Sequence, residues 1–199
     1  MNGGAFMRCK FVQFVTGTVF PLICLIAIAA PAFAQSVTFP DLEGHAIVAD
    51  LHRQQNVRRE GRTFSVKVHQ NWNFYLNDDQ MIVMTLNTTA QTPQGTRKAK
   101  PNSGSFALDE TLKIKARGGG HAVWKFADGT LTFIRTFPSG AFRVNFAFVR
   151  GPNGLTCTVT EAFAREGGKE LKMESAFGGE ITIISSKQLP STCKVAKKQ

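Results

Sequence analysis

The sequence predicts an all-β fold: an antiparallel meander of about eight to ten strands, read as an up-and-down barrel in preference to a two-sheet sandwich. Three observations predict it. Apolar residues recur at every second position through most of the chain, helical spacing is scarce, and the intervals between alternating runs carry residues that specify tight turns. The clearest run is Phe142, Val144, Phe146 and Phe148, opposed by Arg143, Asn145 and Ala147.

The chain opens on a different pattern. Arg8 and Lys10 precede an apolar run from Val19 to Ala30, and Ala32, Phe33 and Ala34 complete an A-x-A ending. Residues 1–34 are therefore expected to be a secretory signal peptide, with the mature chain beginning at Gln35. The apolar run is shorter than the roughly 20 residues of a membrane-spanning helix, and an anchor has no use for the small-residue ending. Cys24 follows Ile23 where a lipoprotein signal needs a small residue, so lipidation there is not expected. Met7, directly before the charged residues, is an alternative start. Residues 35–199 are enough for one domain with a full core.

Along that domain the alternation places strands near 46–53, 63–69, 72–76, 81–87, 105–115 and 180–187. Ile47, Ala49 and Leu51 take the core face of the first and leave Asp50 and His52 outside. Trp72, Phe74 and Leu76, then Ile82, Met84 and Leu86, continue the pattern around a turn at Asn77, Asp78, Asp79 and Gln80. From Ala116 to Phe163 four strands follow one another, divided by Asp128-Gly129, by Pro138-Ser139-Gly140 and by Gly151-Pro152-Asn153-Gly154. The triple glycine Gly118–Gly120 precedes a strand rather than a helix, which makes it a turn and not a phosphate cradle. One segment breaks the rhythm. Residues 88–104, polar and free of aromatic or large aliphatic side chains, are expected to be a long, exposed, disordered loop.

Charge and cysteine content narrow the setting. Removing Arg8 and Lys10 from 24 basic residues leaves 22 against 14 acidic ones, a formal +8 for the mature chain. The excess is scattered in groups: Arg53, Arg58, Arg59 and Arg62; Arg97, Lys98 and Lys100; Lys113, Lys115 and Arg117; Lys194, Lys197 and Lys198. An exported basic protein meets anionic headgroups and acidic polysaccharides before nucleic acid. The leader also removes Cys9 and Cys24, so Cys157 and Cys193 are left with one possible intramolecular pairing in an oxidising compartment.

No motif for catalysis, metal or cofactor is present. Neither G-x-S-x-G nor H-E-x-x-H occurs, and His45, His52, His69 and His121 never fall within four residues of one another. Asp50 and His52 share a strand face but read as a solvated polar pair, and Asp78-Asp79 as turn chemistry. Asn87-Thr88-Thr89 matches a glycosylation acceptor, a match that means little by itself.

Leu42-Glu43-Gly44, the run Gly140 to Phe146 followed by Cys157-Thr158-Val159, and the late Cys193-Lys194-Val195 resemble a family of exported alphaproteobacterial proteins of unknown function. The likeness covers the second half of the mature chain and one short segment near its start. It implies a periplasmic or secreted protein with two paired cysteines, and no activity. Leu42-Glu43-Gly44-His45 is also similar to the first strand of lipocalin-like barrels, although Ala46 stands where those barrels place an aromatic residue.

The function expected from the residues is that of an exported, non-enzymatic binding protein without a cofactor. Its aromatic face, Trp124, Phe126, Phe142, Val144, Phe146 and Phe148, is the candidate pocket for a small apolar or amphipathic ligand. The alternative is a basic envelope protein holding anionic lipid, lipopolysaccharide or acidic glycan, with Arg97, Lys98 and Lys100 as anion contacts. An enzyme would need a nucleophile, metal cluster or carboxylate pair that the sequence does not display. The leader makes one direct prediction: mass spectrometry of exported material finds Gln35 as the first residue, and retention of residues 1–34 would refute cleavage.

Overall fold

A computed structural model describes residues 36–113, 120–167 and 170–198. The expected leader and its expected cleavage site, with Lys115, Arg117, Gly118 and Gly119, lie outside these residues. The described chain is all-β, with two antiparallel sheets and, ahead of them, a short 3-10 turn at Phe39–Leu42. No helix among the described residues is long and apolar enough to cross a membrane.

The first sheet is built on two long strands, β1 (His45–Arg59) and β2 (Arg62–Leu76). They are joined by a two-residue turn in which Glu60 and Gly61 both have positive φ, 49° and 75°. That geometry twists with the strands and holds fourteen residue pairs in register, from Ala46–Tyr75 to Arg59–Arg62. β3 (Ile82–Thr92) adds to β2 after the turn at Asn77–Gln80, where the Asn77 side chain accepts the Met81 N–H at 2.7 Å. The sequence reading divides β2 into two strands because Gln70 and Asn71 interrupt its apolar run. In the structure the phase never breaks: Val66, Val68, Gln70, Trp72, Phe74 and Leu76 all point inward and are buried.

Residues 88–104 are not the expected disordered loop. Thr88–Thr92 complete β3, Pro93 and Gln94 turn the chain, and β4 (Gly95–Lys98) and β5 (Asn102–Phe106) return along β3. This is an edge strand with its outer face in water, so it needs no run of apolar residues. Its one interruption lies at Pro101, between β4 and β5, which has no N–H to donate. The opposite edge of the sheet is built the same way. β12 (Glu180–Gln188) and β13 (Thr192–Lys197) run end to end along β1, split at Pro190, and the Ser191 hydroxyl accepts the His52 N–H there at 3.0 Å. β11 (Leu171–Glu174) adds to β12.

The second sheet is a plain meander in the order β10 (Gly154–Arg165), β9 (Gly140–Gly151), β8 (Thr130–Phe137), β7 (His121–Ala127), β6 (Leu112–Lys113). Asp128 and Gly129 form the expected hairpin turn, φ 48° and 70°. Gly140 opens β9 with φ 152°, and a Cβ there would come 2.1 Å from the Ala164 carbonyl oxygen, so only glycine lets β9 and β10 approach. Among the described residues no backbone ladder joins the two sheets into a closed barrel.

Both sheets turn apolar faces to a shared core. Trp72 and Phe74 of β2 meet Trp124 of β7 and Phe146 of β9 edge-on or tilted, with ring centroids 4.9–6.1 Å apart. Val37, Phe39 and Leu42 plug one end of this core, where Phe39 packs on Phe126 at 5.6 Å. Asp41 fixes the plug by accepting the Thr38 N–H and hydroxyl at 2.7 Å each and pairing with Arg150 at 2.6 Å. The Thr38 hydrogen bonds, aided by Arg150, hold the Asp41 carboxyl below its ordinary value.

Cys157 of β10 and Cys193 of β13 form a disulfide between the sheets, Cα–Cα 5.4 Å. The loop it closes corresponds to about 3–4 kcal/mol of lost unfolded-state entropy. Cys157→Ser with Cys193→Ser is expected to lower the melting temperature by roughly 6–15 °C. Calorimetry of variant and parent, each as residues 35–199, checks this, and free-thiol counting on that parent, denatured and unreduced, is expected to find none.

Candidate functional site

The ends of the strands away from the plug do not pack solid. They enclose a cavity of about 560 Å3, within the roughly 300–1,000 Å3 of small-ligand sites. Trp72 and Phe133, ring centroids 5.3 Å apart, lie between it and the solid core. Val57, Val66, Leu86, Phe142, Phe163 and Ile183 supply apolar wall. Each faces inward because it shares the parity of its strand's core residues, so the cavity continues the core face past the point where the two sheets still touch.

The rim is cationic. Arg59 ends β1, Arg62 begins β2, Arg97 lies on β4 and Lys100 follows it, and all four line the cavity. Counting Arg53 and Arg135 further in, six basic side chains face two acidic ones, Glu60 and Glu174, so the cavity attracts negative charge. Arg62, Arg97 and Lys100 are exposed, so their field is screened by salt.

Arg53 differs from the rim residues. It occupies an inward position of β1, in phase with Ile47, Ala49 and Leu51, and its guanidinium lies over the rings of Phe142 and Phe163 at 5.5 and 5.8 Å. Its Nη1 donates to Gln70 at 2.8 Å and to Glu161 of β10 at 2.9 Å; the two charged side chains are 9% and 2% exposed. Burial pushes the Glu161 carboxyl above its ordinary value and the nearby guanidinium only partly offsets this, while burial draws Arg53 down. Arg135 of β8 lies over Phe137 at 4.8 Å and is likewise drawn down by burial, with Glu174 opposing.

Of the six residues nominated by the aromatic alternation, Phe142 lines the cavity. Trp124, Val144, Phe146 and Phe148 are buried in the solid core, and Phe126 packs against the plug. Of the nominated anion contacts, Arg97 and Lys100 reach the rim, whereas Lys98 is exposed and does not line the cavity. The reading missed Arg53, Gln70, Arg135 and Glu161. A signal for them existed: each is a polar residue at an inward-facing position of an otherwise apolar phase.

Asp50 and His52 lie on the outer face of β1, as their parity requires. Asp50 accepts from Asn71 at 3.0 Å and bonds His69 Nε2 at 2.8 Å, and the His52 and His69 rings stack at 4.3 Å. These bonds, from Asn71 first and His69 second, hold the Asp50 carboxyl below its ordinary value. Among the described residues no group of three or more His, Cys, Asp and Glu side chains is placed to hold a metal ion.

Compared with known proteins, the chain matches no family model, no curated protein and no solved structure.

Glu161→Gln leaves the Arg53 charge buried without a counter-charge and is expected to cost about 3–5 kcal/mol, whereas Arg53→Met with Glu161→Leu removes both charges and costs far less. Urea unfolding of the three proteins measures the difference; equal losses would mean that the pair is not coupled.

Proposed function

We propose that this is an exported binding protein that holds an anionic amphiphile, its apolar chain inside an open, barrel-like cavity and its head group among the rim cations. The observation that carries this reading is that one cavity joins an apolar wall of Val57, Val66, Leu86, Phe142, Phe163 and Ile183, with Arg53, Gln70 and Arg135 set among it, to a cationic rim. A purely apolar ligand would leave Arg59, Arg62, Arg97 and Lys100 unused, and a polysaccharide would leave the Phe- and Val-lined interior unused. An amphiphile uses both. It also joins the two expectations from sequence, a small amphipathic ligand and an anionic envelope component, in one site. The disulfide supports export, because such bonds persist in oxidising compartments.

Displacement of a fluorescent fatty acid from the mature protein tests the proposal. A series of alkyl carboxylates is expected to bind with affinity rising by up to about fourfold per added methylene until the cavity is full. The corresponding alcohols bind more weakly. Arg97→Gln with Lys100→Gln reduces carboxylate affinity roughly tenfold at low salt and much less near 1 M, where the Debye length falls to about 3 Å. Lys98→Gln changes nothing. Binding that follows the basic residues and ignores chain length would replace this reading with surface recognition of acidic glycan.

A further inference from the structure

We propose that the edge of the first sheet formed by β4 and β5 is a docking surface for an anionic lipid bilayer, with Arg97, Lys98 and Lys100 on the edge and Lys67 beside it as its cations. The link from this edge to the cavity rests on the amphiphile reading: an amphiphile resides in a bilayer, and docking here brings the cavity to it.

The edge is cationic without opposition. From Gln80 to Leu108 the sequence holds no acidic residue, although the chain has 14, and its basic residues there are Arg97, Lys98 and Lys100. These three and Lys67 are exposed, and none of the four is held in an ion pair among the described residues. The cations of the β1–β2 hairpin differ: Arg58 pairs with Glu170, and Arg59 with Glu60 at 3.4 Å. Among the described residues no strand pairs with the outer side of β4 or β5, so this edge meets whatever lies beyond it.

The placement of these cations decides between a single head group and a surface. Directly opposed residues of paired strands share a face. Arg97 lies opposite Ala90, which is buried and lines the cavity, so Arg97 belongs to the cavity face, and Lys100 lines the cavity as well. Lys98 lies opposite Thr89 and Lys67 opposite Gln91, the two residues that flank Ala90 on β3, so both lysines stand on the outer face. The sheet itself separates the two pairs. A head group held in the cavity reaches Arg97 and Lys100 and leaves Lys67 and Lys98 unused. An array of anionic head groups lying against the edge reaches the cations of both faces, and the cavity wall extends to that edge through Ala99 and Asn102. An acidic glycan meets the same charges but makes no use of the cavity behind them. Each lysine or arginine near an anionic bilayer strengthens partitioning by roughly fivefold.

The test is co-sedimentation of residues 35–199 with vesicles of phosphatidylcholine alone and of phosphatidylcholine mixed with phosphatidylglycerol. The protein is expected to sediment with the mixed vesicles and not with the neutral ones, and to be released near 1 M salt, where the Debye length falls to about 3 Å. Lys67→Gln with Lys98→Gln reduces partitioning roughly twentyfold at low salt and leaves displacement of the fluorescent fatty acid unchanged, because neither lysine lines the cavity. Lys197→Gln with Lys198→Gln makes the same change of charge at the end of β13, where β13 pairs with the start of β1, and leaves partitioning nearly as it was. Equal losses in the two double variants would mean that net charge and not this edge draws the protein to the vesicles, and would overturn the proposal. Sedimentation with neither vesicle while fatty acid is displaced overturns docking and leaves the amphiphile reading standing. If alginate binds and the vesicles do not, the edge recognises acidic glycan and the proposal is overturned. Docking on the mixed vesicles that is lost with Lys67 and Lys98, without displacement of any fatty acid, upholds the docking surface and overturns the amphiphile reading of the cavity.

Discussion

The structure depends on a seam that is not a β-ladder. The free edge of β10 faces β12 and β13, and along it side chains replace the missing backbone pairing. The Gln188 amide donates to the Val159 carbonyl at 3.0 Å and accepts the Glu161 N–H at 2.9 Å, so one side chain presents to β10 the donor and acceptor that a paired strand would offer. Arg165 donates to the carbonyl of Ile184, where the register of β12 against β1 shifts by one residue. The Cys157–Cys193 bridge and the Arg53–Glu161 pair complete the line. A continuous ladder would fix the strands about 4.8 Å apart, whereas side-chain spacers let the sheets diverge. The solid core lies at the plugged end and the cavity at the other.

The two ends differ in what fills them as much as in whether they are filled. At the plugged end Trp124, Phe146, Phe74 and Leu131 are almost wholly buried among one another, and the polar groups of the plug are satisfied by Thr38, Asp41 and Arg150. Past Trp72 and Phe133 the same inward parity brings in Arg53, Gln55, Gln70 and Arg135 between apolar residues such as Val57, Val66 and Val68. For stability alone apolar residues there would serve as well or better, since replacing a buried ion pair by apolar groups is commonly neutral or stabilising. These polar residues, at inward positions among Val57, Val66, Val68 and Leu86, line the cavity. This places the polar set with the site and not with the core.

How much of this was legible depends on what each strand reveals. Where alternation is pure, as in Phe142, Val144, Phe146 and Phe148, class, facing and burial all follow from parity. Where an inward residue is polar, parity reads as a break: Gln70 splits β2 into two expected strands, and Arg53 is counted with surface cations although it is among the most buried charges described. Residues 88–104 mislead for the opposite reason. An edge strand in water lacks the apolar signal, and composition cannot separate it from a loop. Which aromatic residues pack solid and which border a void cannot be read from one strand at all, since Phe142 and Phe146 share a face and a phase. The difference lies in what each ring meets: Phe146 meets Trp72, Phe74 and Trp124, whereas Phe142 meets Phe163 and the Arg53 guanidinium.

The two layers of positive charge obey different physics. Rim cations act through water at high effective dielectric, attract any anion over a Debye length, and contribute little discrimination between one carboxylate and another. Arg53 sits where the dielectric is low, so its N–H groups act over hydrogen-bond distance on Gln70 and Glu161. For an anionic ligand at the rim, rising salt would weaken the attraction of Arg62, Arg97 and Lys100 while leaving the buried Arg53–Glu161 pair in place.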